Sequence, residues 1–277
     1  MIKKLGVLAL IALMFSTVEA AERNDLGSCY DRVRLGEYKP APSGRLLTLV
    51  VDQTVKIPED MQRSVWGSVT RFIKPGDQIK VYSFSAFVQG EYMRLLVDAT
   101  LDIAPSESTR NKMNMGRLRA LDRCLQQQQQ QFVSVVGGQF VNALREASEE
   151  LPRSEIMHAL REIGQDIQRK SVEDRVLYLL SDMLENSAYT SFYANNRIRA
   201  IDTDRELALV ENHDLFADLH NVRVYVAGAG LVSSSSRKAY RSSKTMDNLS
   251  QFWHQYFNRS GAKLEGFGMP QLNMEIH

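Results

Sequence analysis

The chain alternates short apolar runs with longer amphipathic segments. Leu46–Val51 is a nearly continuous apolar run, and similar runs occupy 175–181 and 222–227. Continuous runs of this kind are typical of parallel strands buried on both faces. Residues that recur at helical spacing lie between them. The pattern predicts an α/β fold of Rossmann-like type: a mainly parallel central sheet with helices on both faces.

The remaining elements follow from the same pattern. The sequence predicts a helix from Pro58 to Phe72, because proline and two acids favour a helix start. Two strand-like runs, 78–88 and 92–99, predict a hairpin that adds one antiparallel edge. Further helices are predicted over 154–170, over most of 186–220 and over 245–258, with a short final strand at 263–267.

Residues 103–150 differ from the rest of the chain. They are polar and lack strand signals, and they predict a helical insertion with two helices, 117–131 and 138–150. The glutamine run 126–131 is interpreted as a solvated helix face that implies no ligand.

The N-terminus has the features of a secretory signal. Lys3 and Lys4 precede an apolar run, and Val18–Ala20 resembles a cleavage site. We therefore expect a signal peptide at 1–20, an N-terminal arm at 21–44 and the α/β domain at 45–277, in a periplasmic or secreted protein with no stable membrane span after cleavage. The alternative is an uncleaved anchor, for which the apolar run is short.

Charge and cysteine content limit the possible partners. Residues 1–20 hold two of the 34 basic and one of the 33 acidic residues, so the mature chain carries 32 of each. A neutral protein has no general attraction to nucleic acid. The two cysteines, Cys29 and Cys124, are expected to form a disulfide in an oxidising compartment, with two buried thiols as the alternative.

Polar residues follow the predicted strands where ligands of such sheets bind, beyond the carboxyl ends. Asp52 and Thr54 follow the first strand, Ser154 precedes a helix, and Asp182 follows a later strand. This set, in this order, resembles the von Willebrand factor A family over about 46–268. The resemblance implies a metal-ion-dependent adhesion site, with Asp52 and Thr54 in its D-x-S-x-S motif, Ser154 in the place of its threonine and Asp182 as its late aspartate.

The motif departs from the family at two positions. Lys56 replaces the second serine and Met183 the usual glycine. An ammonium cannot coordinate Mg²⁺. Two hypotheses therefore remain for how the repulsion between the two aspartates is relieved: by a bound Mg²⁺ or Mn²⁺, or by Lys56 folded over them as a surrogate for the metal. No cofactor is certain. A purely structural interpretation also stands, in which both aspartates cap their turns, Thr54 bonds local backbone and Ser154 caps a helix.

A partner surface is predicted on the same rim. It combines a basic, serine-rich loop with aromatic residues that follow Asp182, since aromatic side chains are enriched at interfaces. The alternatives are a solvated loop and ordinary helix packing. The proposed rim residues are Tyr189, Tyr193, Arg237, Lys238, Arg241 and Lys244.

Three functions are compatible with these features. The first is a non-enzymatic binding or scaffold component of a larger envelope, secretion or conjugation-type assembly, which binds a protein partner of the cell envelope through the rim. The second is a phosphatase-like hydrolase with Asp52 as nucleophile, although Thr54 stands where that class has a second acid. The third is a structural subunit that assembles through the 103–150 insertion.

Overall fold

A computed structural model describes residues 23–85, 93–148, 153–194, 197–231 and 242–277. The predicted signal peptide and the tip of the hairpin lie outside the described residues. So do Arg237, Lys238 and Arg241 of the predicted rim. Within the described chain, no helix is both long enough and apolar enough to cross a membrane.

Six strands form the central sheet, and their order confirms the predicted fold class. The order is β3-β2-β1-β4-β7-β8; β3 is antiparallel to β2, and every other pair is parallel. The strands are β1 (Arg45–Asp52), β2 (Gln78–Phe84), β3 (Met93–Thr100), β4 (Asp174–Leu180), β7 (Val222–Ala227) and β8 (Lys263–Phe267). The strand order reverses between β1 and β4, which is where folds of this type bind ligands.

Helices cover both faces of the sheet because strand side chains alternate between two cores. In β1, Leu47, Leu49 and Val51 face the first core, whereas Leu46 and Val50 face the second. The helices are α1 (Cys29–Arg32), α2 (Glu59–Phe72), α3 (Glu107–Arg110), α4 (Met115–Arg145), α5 (Ile156–Gln168), α6 (Thr203–Asn212) and α7 (Ser243–Arg259). Helices α2 and α4 pack on the first core, and α5, α6 and α7 pack on the second.

The insertion contains one long helix rather than the two that were predicted. Helix α4 continues through Gly137 and Gly138, although each glycine costs about 1 kcal/mol relative to alanine in a helix interior. Trp66 of α2 explains the first glycine: a Cβ on Gly137 would lie 2.9 Å from the Trp66 ring. Phe132 and Phe140 stack on the same ring, at centroid distances of 6.0 and 5.8 Å. Tertiary packing thus offsets the weak local preference.

The segment between β4 and β7 is also less helical than predicted. Of the described residues in 186–220, only those of α6 are helical, and two short antiparallel strands are present, β5 (Tyr193–Ala194) and β6 (Arg197–Ile198). Burial of Phe192 edge-on to Phe252, with ring centroids 5.1 Å apart, holds this segment in an irregular conformation. We refer to the described residues 183–194 and 197–201 as the covering segment, because its Tyr193 contacts Asp182 at the end of β4.

The N-terminal arm is joined to α4 by the predicted disulfide. Cys29 and Cys124 are bonded, with their Cα atoms 5.6 Å apart. The glutamine run is only partly a solvated face, because Gln128 is buried: its amide donates to Gly27 O and its carbonyl accepts from the Asp102 amide. The domain boundaries at 20 and 44 stay a prediction.

Candidate functional site

The candidate site lies at the carboxyl ends of β1 and β4. Asp52 is the last residue of β1, and Ser181 and Asp182 directly follow β4. Since Val51 pairs with Leu180 in the parallel register, Asp52 and Ser181 meet across the two strands. We call this region the strand-end edge. The structure therefore brings together residues that lie about half the chain apart.

Asp52 is fully buried and surrounded by hydrogen-bond donors. Its Oδ1 accepts from the Thr54 amide at 2.8 Å and from the Thr54 hydroxyl at 2.6 Å. Its Oδ2 accepts from the Ser181 hydroxyl at 2.7 Å, and Ser154 Oγ lies at the longer distance of 3.5 Å. Burial raises the pKa of Asp52, and the hydroxyl bonds from Thr54 and Ser181 oppose that effect.

Asp182 is held by one backbone and one side-chain donor. Its Oδ1 accepts from the Leu184 amide, and its Oδ2 accepts from the Tyr193 hydroxyl, each at 2.9 Å. Burial and then the nearby charge of Asp52 raise the pKa of Asp182 well above its usual value. Two buried carboxylates that repel each other favour a state in which a proton is retained between them.

Ser154 is not the helix cap that the sequence suggested. Its backbone forms a bridge with Asn186, and α5 begins after Glu155, which makes no side-chain cap. The Glu185 carboxylate instead accepts from the Met157 amide at 3.0 Å, in the first turn of α5. Glu185 is buried, and this burial raises its pKa to about 8 against the lowering effect of that hydrogen bond. No motif in the sequence points to Glu185, which lies just before the predicted helical segment 186–220.

Lys56 does not lie over the two aspartates as a metal surrogate would. Its side chain is exposed, whereas Asp52 and Asp182 are buried. Among the ion pairs of the described residues, none joins Lys56 to either carboxylate. The side-chain donors to the two carboxylates are instead the hydroxyls of Thr54, Ser181 and Tyr193.

The residues in this arrangement do not fit a divalent cation. Mg²⁺ requires about six oxygen ligands at roughly 2.0–2.1 Å and keeps several of them as water. Every Asp52 and Asp182 carboxylate oxygen already accepts a protein hydrogen bond. Lys56 also stands where the D-x-S-x-S motif has its second serine, so that hydroxyl ligand is missing. Asp52, Ser154 and Asp182 are each no more than 5% exposed, which leaves little room for coordinated water.

The three rim residues that the structure describes divide into two groups. Tyr189 is 42% exposed and packs on His213 with ring centroids 4.3 Å apart, and Lys244 is exposed at the start of α7. Tyr193 is half-buried and points inward to Asp182. Tyr189 therefore has the exposure of a contact residue, whereas Tyr193 belongs to the carboxylate site.

A buried ion pair fixes the covering segment to α6. The Arg199 guanidinium donates to Glu206 Oε1 at 2.7 Å, and the Thr190 hydroxyl donates to Glu206 Oε2 at 2.6 Å. Glu206 is 2% exposed. The Trp253 indole of α7 donates to Met183 O at 2.8 Å. The backbone that carries Tyr189 is thus attached to two helices.

A second surface feature lies between α2 and α4. It is a groove of about 610 Å³ with Trp66, Gly137 and Phe140 in its lining. Val133 and Val141, one on each side of Gly137 along α4, are 53% and 39% exposed. Exposed apolar side chains that are grouped in this way often mark contact sites.

Comparison with known proteins gives little beyond this description. No family model and no curated protein matches the sequence. Among solved structures, the chain is similar to an aerotolerance-related membrane protein from Bacteroides fragilis, crystallised with multiple mutations to serines, at 9% identity, over 79% of this chain and 90% of that chain, with a TM-score of 0.35. The fold assignment rests on the strand order of this chain.

Proposed function

We propose that the protein is a non-enzymatic binding scaffold of the cell envelope that recruits a protein partner through its strand-end edge. The observation that carries this proposal is the placement of Tyr189: an exposed aromatic side chain on a covering segment that Glu206 and Trp253 hold in place. A fixed aromatic residue binds with little loss of conformational entropy, and tyrosine is enriched at interfaces.

The geometry of Asp52 favours binding over hydrolysis. A carboxylate nucleophile must reach its substrate, but Asp52 has no exposed surface, and its oxygens accept bonds from Thr54 and Ser181. The hydrolase hypothesis has its own test. Turnover of p-nitrophenyl phosphate that Asp52→Asn abolishes would support the enzyme and contradict the scaffold.

The disulfide supports an exported location. Bonds such as Cys29–Cys124 form and persist in oxidising compartments and are rare in the cytosol. We place the protein in the periplasm or outside the cell on this ground, and we expect its partner in the envelope.

Replacing single residues by a photocrosslinking amino acid tests directly, in cells, whether a partner protein binds at the strand-end edge. We expect position 189 to yield one defined crosslinked species, identified by mass spectrometry. Lys263 is the matched control, because it is exposed at the start of β8, at the opposite end of a parallel strand. Equal crosslinking from both positions, or none from position 189, would contradict partner binding at this edge.

The groove between α2 and α4 favours a second candidate, a structural subunit that assembles through its insertion. The exposed Val133 and Val141 are the observation that supports it. A crosslinker at position 141 distinguishes the two functions within the same experiment. Products from position 141 alone would assign assembly to the insertion, and products from position 189 alone would assign binding to the strand-end edge.

A further inference from the structure

Of the two donors to Asp182 described above, the Tyr193 hydroxyl is the one that a side-chain substitution can remove. This hydroxyl donates to Asp182 Oδ2 at 2.9 Å. The other Asp182 oxygen accepts from the Leu184 amide, which cannot turn away without moving the backbone. The Thr54 amide constrains Asp52 in the same way. The availability of Asp182 Oδ2 to another ligand therefore depends on the Tyr193 hydroxyl.

The covering segment keeps Tyr193 in that position. The neighbouring residue, Phe192, is fully buried against Phe252 and Trp253. On the other side of β6, Arg199 binds Glu206 and lies 5.7 Å from the Phe192 ring centroid. Since both flanks are anchored, the hydroxyl of Tyr193 is held at Asp182 without a ligand.

We propose that Tyr193 closes the aspartate pair and makes the strand-end edge independent of divalent cations. A cation at this site needs oxygen ligands with free lone pairs and space for water. The Tyr193 hydroxyl occupies a lone pair of Asp182 Oδ2 that a cation would need. A bound cation would coordinate the buried carboxylate and bring positive charge. In this chain, the Tyr193 hydroxyl satisfies the Asp182 carboxylate with a hydrogen bond and brings no charge. The inference concerns ion binding and stands whether or not the edge binds a protein.

Titration of the purified chain with MnCl₂ tests the proposal. Isothermal titration calorimetry would measure Mn²⁺ binding, and thermal unfolding at matched ionic strength would report stabilisation. We expect no saturable binding by the wild type in the millimolar range. Tyr193→Phe removes only the hydroxyl and should bind Mn²⁺ at least about tenfold more tightly, with a rise in the unfolding temperature.

Tyr189→Phe is the matched control, because it removes a tyrosine hydroxyl from the same segment but away from Asp182. Like the wild type, it should show no saturable Mn²⁺ binding in the millimolar range. Asp182→Asn added to Tyr193→Phe should abolish the new binding. If Tyr193→Phe fails to fold, Tyr193→Leu removes the same hydroxyl, and the wild-type titration is still decisive. Saturable Mn²⁺ binding by the wild type, or no binding by a folded variant that lacks the hydroxyl, would overturn the proposal.

Discussion

Two buried groups of charged residues lie in different parts of this sheet and are stabilised in opposite ways. At the strand-end edge, Asp52, Asp182 and Glu185 are buried with neutral donors around them, and burial raises the pKa of each. We call these three residues the strand-end cluster. The second group, on β2, β3 and α5, has a buried ammonium at its centre.

In that second group, which we call the lysine cluster, Lys80 contacts both Asp98 and Asp166. The Lys80 side chain is 3% exposed, and its Nζ lies 3.5 Å from Asp98 Oδ2. Here the pKa of Asp166 is lowered: burial raises it, but the hydrogen bonds from Lys80 and the Tyr82 hydroxyl and the charges of Lys80 and Arg169 together outweigh burial. The difference teaches that burial alone does not set the charge state. A charged donor such as Lys80 favours the ionised form of a carboxylate more strongly than neutral hydroxyls do, and Asp166 is also less deeply buried than Asp52 and Asp182.

The largest effect is expected from removing the cation of the lysine cluster. Lys80→Met removes the buried ammonium from Asp98 and Asp166, which keep only Lys170 and the Tyr82 hydroxyl respectively among these contacts, and loss of one member of a buried pair costs about 3–5 kcal/mol. Urea denaturation measures the free energy of unfolding. Lys263→Met is the control, because its pair with Glu265 is exposed on the lysine side and should be worth at most about 1 kcal/mol. Equal losses for both variants would show that Lys80 is not the centre of a buried cluster.

The next effect is the pH dependence of the strand-end cluster. The pKa of Glu185 is about 8 in the folded chain, above its ordinary value of 4.5. The folded state thus retains a proton that the unfolded state releases, so stability falls as pH rises from about 4.5 to about 8. We expect Glu185→Gln to remove about 2–4 kcal/mol of this decrease. Urea denaturation at pH 5 and pH 8.5 measures it, and an unchanged slope would contradict the raised pKa.

The smallest effect is expected from removing one neutral donor. Ser181→Ala takes one hydroxyl from Asp52, whose other oxygen keeps both bonds from Thr54. We expect a loss of about 1–2 kcal/mol in the free energy of unfolding, less than for Lys80→Met, because the remaining donors still satisfy much of the carboxylate. A loss as large as that of Lys80→Met would mean that the two clusters do not differ in the way described.

The parts of the fold that sequence predicted are those with a strong local signal. The apolar runs of β1, β4 and β7 need burial on both faces, and this requirement alone places them in the sheet. Because parallel strands share a direction, the pattern also predicted that Asp52 and Asp182 meet. The disulfide was predicted from the presence of two cysteines in a chain with the features of a secretory signal.

The parts that sequence missed depend on contacts between distant residues. Gly137 weakens a helix locally, and only the ring of Trp66 explains why α4 continues through it. Tyr193 was assigned to an outer rim, because nothing in its neighbourhood shows that its hydroxyl turns back to Asp182. Glu185 has no motif at all; its role at the start of α5 exists only in three dimensions.

The N-terminal arm has a consequence for how copies of the chain meet. It lies along the outer side of β3: the Asp25 amide donates to Asp98 O, and the Asn24 and Asp25 side chains accept from the Thr100 and Asp98 amides. A sheet margin whose outward groups are already paired offers no template for a strand of another molecule. The Cys29–Cys124 disulfide attaches this arm to α4. We therefore expect the disulfide to oppose polymerisation of the protein through the β3 edge of the sheet.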